Sequence, residues 1–349
     1  MPAIGLKRTE QVRAAARRGV AVVPMASEGG PKPPAREERV RPRGIRKLAA
    51  SDFLRDQDLT GDELLSLLDL ADAVKRNPGD YAQALAGKSI ALLFEKPSLR
   101  TRLTFEVAMK QMGGGSVFVD GPIGVREPLK DVARNLDRWV EGIVARVFAQ
   151  STVEDLAKWS RVPVINALSD AYHPCQALAD VQTIREHFGR IQGLKLAFIG
   201  DGNNVAHSLM LTGLRLGMDF AIGCPDGYDP NPDVVALANA LAAETGGRMT
   251  VTHDTTEALA GAHVVYTDVW ASMGQEQEAV KRKKSFRDYQ VNEARFALAR
   301  PDAVFMHCLP AKRGEEVTNG VMEAGRSVIF DQAENRLHAQ KALLLMLLS

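Results

Sequence analysis

The chain has 349 residues, 45% of them hydrophobic and 25% charged, with 44 Lys and Arg against 43 Asp and Glu. That length supports a large core in one or two domains, and the even charge excludes the strong field of a nucleic-acid binder or of a protein held on an anionic membrane. Cys175, Cys224 and Cys308 are too few and too scattered for a disulfide framework, which fits a reducing cytoplasm, and the apolar run Ala342 to Leu348 is far short of the roughly 20 residues that cross a bilayer.

Residues 1–46 are rich in Arg, Pro and Gly without apolar periodicity, and read as a disordered extension. Two other readings stay open: a transit peptide, against which Glu28, Glu37 and Glu38 count, or a true start at Met25. Folded structure is expected from near Phe53. Thr60-Gly61-Asp62-Glu63 followed by Leu64, Leu65, Leu67, Leu68 and Leu70 predicts an N-capped amphipathic helix. Ser89 to Phe94 predicts a buried strand, Pro97 a turn, and Ser98 the cap of a helix whose Phe105, Ala108, Met109 and Met112 share one face. Gly113 to Gly115 end that helix.

The segment from His173 to Ile191 begins as a helix and bridges two domains. Beyond it come strand Lys195 to Ile199, helix Ala206 to Leu216, strand Phe220 to Gly223, helix Asp233 to Glu244, and strands Met249 to Thr252 and Val264 to Thr267. Strands separated by helices predict an α/β protein of two doubly wound, parallel-sheet domains.

Several segments carry chemistry. Ser98-Leu99-Arg100-Thr101-Arg102 sits where a strand turns into a helix, so free N–H groups, hydroxyls and guanidinium forks can meet an anion; a capped helix with solvated arginines fits equally. No Gly-x-x-x-x-Gly-Lys-Ser/Thr follows, so a Walker-type nucleotide site is unsupported. His173-Pro174-Cys175-Gln176 sets a His and a Gln three apart at a helix entrance, able to face one pocket or to be a satisfied structural pair; no second ligand stands at metal spacing on that helix. Gly200-Asp201-Gly202-Asn203-Asn204 lacks the third glycine of a dinucleotide site, since Val205 takes its place, and suits a small polar ligand. Asp268 to Gly274 and His307-Cys308-Leu309-Pro310 each follow an apolar strand, where Asp268 can be a binding group or an Asx-turn and Cys308 a ligand contact or a small core residue. Glu334-Asn335-Arg336 is expected to open the last helix, as a plain cap or as a return to the first domain's site.

These six segments, in this order, resemble the aspartate/ornithine transcarbamoylase family from about Phe53 to Leu348, and within it the branch that acts on ornithine. The resemblance implies transfer of the carbamoyl group of carbamoyl phosphate to the side-chain amine of L-ornithine, giving citrulline and phosphate, in arginine biosynthesis or the reverse direction. It implies a carbamoyl phosphate domain over 47–185, an ornithine domain over 186–330 and a terminal helix over 331–349 returning to the first. It also implies a homotrimer or multiple of trimers, with no cofactor and no metal. Ser98, Leu99, Arg100 and Thr101, with Arg102 beside them, match the phosphate turn. Arg146 and His173 match residues that polarise the carbamoyl oxygen, and Pro174 and Cys175 lie in the same segment. Gln176, Cys308 and Leu309 match the groups around the carbamoyl nitrogen, and Arg336 a further carbamoyl phosphate contact. Asn204, Asp268, Ser272 and Met273 match ornithine recognition. The catalytic assignment implied is Arg146, His173 and Cys308.

The chain departs from the family pattern twice: Leu99 stands where many members have Thr, and 113–131 is short, without the Gln that a neighbouring subunit often contributes. Two other functions stay open, a transcarbamoylase for a different amine and a non-catalytic binding relative. Together, Arg100, Arg146, His173, Gln176 and Arg336 argue against the second.

Overall fold

A computed structural model describes residues 45–271 and 278–349. Chain order begins with a short 3-10 helix, Asp56–Asp58, followed by α1 (Gly61–Arg76). The start of α1 is a reciprocal cap: Thr60 Oγ1 accepts the Glu63 N–H at 3.2 Å, and Glu63 Oε2 accepts the Thr60 N–H at 3.0 Å. The first sheet is built by β1 (Ser89–Phe94), α2 (Leu99–Gln111), β2 (Gly115–Asp120), α3 (Leu129–Leu136), β3 (Gly142–Arg146), α4 (Gln150–Trp159) and β4 (Val164–Leu168). Helix α5 (Pro174–Phe188) leads to the second: β5 (Lys195–Ile199), α6 (Asn204–Arg215), β6 (Asp219–Gly223), α7 (Pro232–Thr245), β7 (Met249–Thr252), α8 (Thr255–Leu259), β8 (Val264–Thr267), α9 (Ala279–Ser285), α10 (Glu293–Phe296) and β9 (Val304–His307). Helices α11 (Asn319–Met322) and α12 (Ile329–Leu348) finish the chain.

Both sheets are parallel, with strand orders β2-β1-β3-β4 and β7-β6-β5-β8-β9. The expected α/β class with two doubly wound sheets is what forms. Each order reverses once, between β1 and β3 and between β5 and β8, and a crevice opens at the carboxyl ends of strands on either side of such a reversal. Ser98 to Thr101 follow β1, Arg146 ends β3, Gly200 to Asn204 follow β5, and Asp268 follows β8. Topology therefore delivers these segments to two crevices.

Helix α5 is buried along Pro174–Ile184 between the two halves, so its polar residues need internal partners. Asp180 accepts hydrogen bonds from Gln176 at 2.8 Å, Gln332 at 2.7 Å and Tyr266 at 3.1 Å, tying α5 to α12 and β8. Helix α12 packs on α5, α1 and α2 and so returns to the first half. It starts at Ile329 and not at Glu334, which corrects the expected boundary. Val328 at its N-cap provides no side-chain bond, so the sequence carries no start signal, and Arg336 sits inside the helix instead of capping it. Among the described residues no helix is long and apolar enough to cross a membrane.

Candidate active site

Ser98 caps α2 by accepting the Thr101 N–H at 3.2 Å, which leaves the N–H groups of Leu99 and Arg100 without an intrahelical acceptor at the positive end of the helix. The missing hydroxyl at Leu99 has no counterpart inside the fold, because that side chain is 70% exposed. Arg336 reaches across from α12, donating to Thr101 Oγ1 at 3.0 Å and to Gln176 Oε1 at 2.5 Å. Gln176 in turn donates to Asp180, so its amide is fixed in orientation.

Arg146 and Arg336 are buried and Arg100 is half-buried, yet among the described residues none of the three pairs with a carboxylate. Burial, then Arg336 and Arg100, hold the Arg146 guanidinium down to about 10. The Nε atoms of Arg146 and Arg336 and Nδ1 of His173 have no hydrogen-bond partner among the described residues. Burial and the three arginines keep the His173 imidazole far below its usual range, so the ring is neutral. Three mutually repelling cations, two of them buried, favour a multiply charged anion among them.

Arg102 is placed elsewhere. Its guanidinium lies over the Phe118 ring, 3.6 Å from the centroid, and its Nε donates to Glu106 at 2.9 Å. Pro174 and Cys175 are buried in the first turn of α5; the Cys175 thiol faces the Asn166 carbonyl at 3.4 Å. Burial pushes that thiol up to about 12, so it serves packing.

Across the crevice, Asp268 is buried at the end of β8 and accepts from Asn203 Nδ2 at 2.9 Å, from the Val269 N–H at 2.8 Å and from the Cys308 thiol at 3.0 Å. The bond to Val269 is local; the other two join three connections into one wall. Burial, then the Asp268 charge and hydrogen bond, raise the Cys308 thiol well above 9, so it is a neutral donor and not a nucleophile. Arg100 lies near enough to the same thiol to oppose that rise, so the phosphate turn and the Cys308 connection border one space. Leu309 follows with left-handed backbone (φ 56°), a strained state for a branched residue, and its N–H donates to His307 Nδ1 at 2.9 Å. Asp268, His307 and Cys308 offer donor atoms within 4.8 Å of one another, but both ring nitrogens of His307 are engaged, by Leu309 and by Glu316 at 3.3 Å.

Asn204 Nδ2 donates to the Ser169 carbonyl at 2.6 Å, whereas its neighbour Asn203 holds Asp268. Asn203 stood in the motif but was not singled out; its place as the α6 cap, with a side chain that accepts from Val205 and Ala206, is the signal that selects it. Arg282 had no signal at all: a basic residue in a run of them, it is buried and donates to Asp201 at 2.8 Å and to the Trp270 carbonyl at 3.1 Å. Ser272 and Met273 lie outside the described residues.

One wall thus offers cationic donors around a neutral imidazole, and the other a carboxylate suited to an ammonium. That pairing fits a phosphorylated anion reacting with an amine.

Known proteins match both halves of the chain. Residues 51–186 match the carbamoyl-P binding domain of aspartate/ornithine carbamoyltransferase, and residues 192–347 match its Asp/Orn binding domain. The ornithine carbamoyltransferase of a Parafrankia species is 53% identical over 307 residues, 86% of this chain and 97% of that one. That of Thermococcus kodakarensis is 52% identical over 306 residues, again 86% and 97%. The solved ornithine carbamoyltransferase from Pyrococcus furiosus superposes with a TM-score of 0.84 at 50% identity, covering 87% of this chain and 99% of that one. With its two halves matched in order, the chain belongs to the aspartate/ornithine carbamoyltransferase family.

Proposed function

We propose that this protein transfers the carbamoyl group of carbamoyl phosphate to the δ-amine of L-ornithine, giving L-citrulline and phosphate. The observation that carries the reading is the trio Arg100, Arg146 and Arg336, the last two buried, with no carboxylate paired to it among the described residues, and Asp268 on the opposite wall. Residues 47–185 then form the carbamoyl phosphate half, 186–330 the ornithine half, and 331–349 the helix that closes onto the first.

The phosphate lies on the N–H groups after Ser98, with Arg100 and Thr101. Arg146 and neutral His173 hold the carbamoyl oxygen as it gains charge, and Gln176 with the Cys308–Leu309 backbone holds its nitrogen. Asp268 and the Cys308 thiol align the ornithine, with Asn204, Ser272 and Met273 around it. The neutral amine attacks the carbonyl carbon, the carbon–oxygen bond to phosphate breaks, and the amine proton leaves on the phosphate. Deprotonating an ammonium with pKa about 10.4 costs about 4.6 kcal/mol at neutral pH, which the positioning of both reactants offsets. Neither a metal nor a covalent intermediate enters this sequence.

The working unit is read as a trimer or a multiple of it. Support comes from exposed apolar residues near the phosphate turn, Leu99, Leu103, Val117, Val119 and Val125, whose burial needs another chain. Three free cysteines suit a reducing, cytoplasmic setting.

A steady-state panel tests the reading, with ornithine, N-acetylornithine, N-succinylornithine, putrescine and aspartate at saturating carbamoyl phosphate. Ornithine is expected to win by a factor that can reach about 10⁴ in kcat/KM, because a buried acceptor rejects an amine donor that has been acylated. Preference for another of the five overturns the ornithine assignment, and no carbamoyl product from any of them overturns the transfer itself.

A further inference from the structure

On the flank of the second sheet away from β8, β6 and β7 run side by side with Gly223 opposite Thr252. Their ends bring together Cys224, just after β6, His253, just after β7, and Asp229 from the connection between β6 and α7. One ligand atom from each lies within 4.8 Å of the other two. Asp229 Oδ1 is 3.7 Å from Cys224 Sγ and 3.7 Å from His253 Nε2. The edge of a tetrahedron with bonds of about 2.0–2.3 Å is roughly 3.3–3.7 Å, so the spacing already approaches that of ligands around zinc.

The orientation of His253 is decisive. Its Nδ1 lies 2.8 Å from the Cys224 carbonyl oxygen, which can only accept, so Nδ1 carries the proton. In the neutral ring, Nε2 then turns a lone pair toward the Asp229 carboxylate and the Cys224 sulfur. A histidine whose second nitrogen donates to a backbone carbonyl is held as a metal-ligating histidine is held. Three electron-rich atoms directed into one space repel unless a proton or a cation lies between them. Without a cation the thiol proton takes that place, Cys224 Sγ donating to Asp229 Oδ1. The Cys224 carbonyl bond, and beyond it Asp229 and Asp226, raise the His253 imidazole, and burial followed by Asp229 pushes the Cys224 thiol up to about 12.

We propose that Cys224 Sγ, Asp229 Oδ1 and His253 Nε2 bind a borderline-soft divalent cation of the Zn2+ type, with water in the fourth position. Sulfur and imidazole nitrogen favour such an ion over Mg2+ or Ca2+. Binding exchanges the thiol proton for the metal: the S–H bond breaks, an S–Zn bond forms, and the proton passes to solvent. The ion plays no part in carbamoyl transfer. It clamps the connection whose Tyr228 carbonyl accepts the Gly202 N–H at 2.9 Å and whose Asn231 N–H donates to His207 Nε2 at 3.1 Å. This connection backs the turn that carries Asn203 and Asn204.

The test uses Co2+ as a spectroscopic probe on full-length Cys308→Ser protein, so that the active-site thiol contributes no signal. One Co2+ per chain should bind with a thiolate-to-metal charge-transfer band. Adding Cys224→Ser should abolish the band, and adding His253→Gln, at an exposed position, should weaken binding by about 10–100-fold or more. In the otherwise unaltered protein Zn2+ should raise Tm, and in His253→Gln it should not. A missing charge-transfer band, or equal affinity with and without His253, overturns the site and leaves a His253–Asp229 ion pair in its place.

Discussion

Ser208 donates its hydroxyl to Asp56 Oδ2 at 2.6 Å while accepting the backbone N–H of His173 at 2.9 Å, so a carboxylate in the first 3-10 helix reaches the active-site histidine through a side chain of α6. Thr212 adds a second hydroxyl at 3.0 Å.

Asp56 predicts a pH dependence of stability. Burial raises its carboxyl from 3.8 to about 7, against the two hydroxyls that lower it. The folded protein therefore binds this proton more tightly than the unfolded chain. Its contribution is fully present below the unfolded value near 4, and is lost as pH rises through about 7. Asp180, also raised to about 7 by burial, slopes in the same direction. Asp56→Asn should remove the Asp56 share, cutting the fall in stability between pH 4 and 7 by about 4 kcal/mol at most. Denaturant unfolding of both proteins across that range decides it; parallel profiles would show that Asp56 does not titrate there.

The phosphate turn should divide its two arginines. Arg100 has no ion pair among the described residues and borders the crevice, whereas Arg102 is spent on Glu106 and Phe118. Arg100→Ala is expected to weaken carbamoyl phosphate binding by about 2 kcal/mol or more, and Arg102→Ala by less than about 1 kcal/mol. Calorimetric titration of both variants reads the difference, and equal losses would place Arg102 in the site.

Asp268 should govern both turnover and thiol reactivity. Asp268→Asn removes the charge that helps hold the Cys308 thiol protonated. Alkylation of Cys308 by iodoacetamide at mildly alkaline pH should speed up about tenfold. Ornithine turnover should collapse while carbamoyl phosphate binds nearly unchanged, since Asp268 stands on the opposite wall. Slower alkylation in this variant contradicts the pairing.

Arg282 joins Asp201 to the Trp270 carbonyl and thereby holds the start of the segment that begins at Asp268. Arg282→Gln should lower kcat/KM for ornithine about tenfold or more through displacement of that wall, with carbamoyl phosphate affinity unaltered. A loss confined to carbamoyl phosphate binding would assign Arg282 to the other half.

The sequence alone determined the class of fold and named most of the residues that line the crevice. Strands such as Ser89–Phe94 and Lys195–Ile199 are short apolar runs closed by turn residues, and Ser98 and Thr60 are caps whose hydroxyls act on the next few N–H groups. Those are local signals, set by neighbours in the chain. Strands β2 and β3 each hold only three consecutive apolar residues, Val117-Phe118-Val119 and Ile143-Val144-Ala145, too short a run to stand out from its neighbours, and the start of α12 has no cap. Only tertiary structure decided that Arg146, Arg336 and Arg100 share one desolvated space, that Asn203 instead of Asn204 grips Asp268, and that Arg102 turns away. Each of these depends on electrostatics and packing between segments up to 235 residues apart, as Thr101 and Arg336 are, and no periodicity within a segment encodes the partner it will meet.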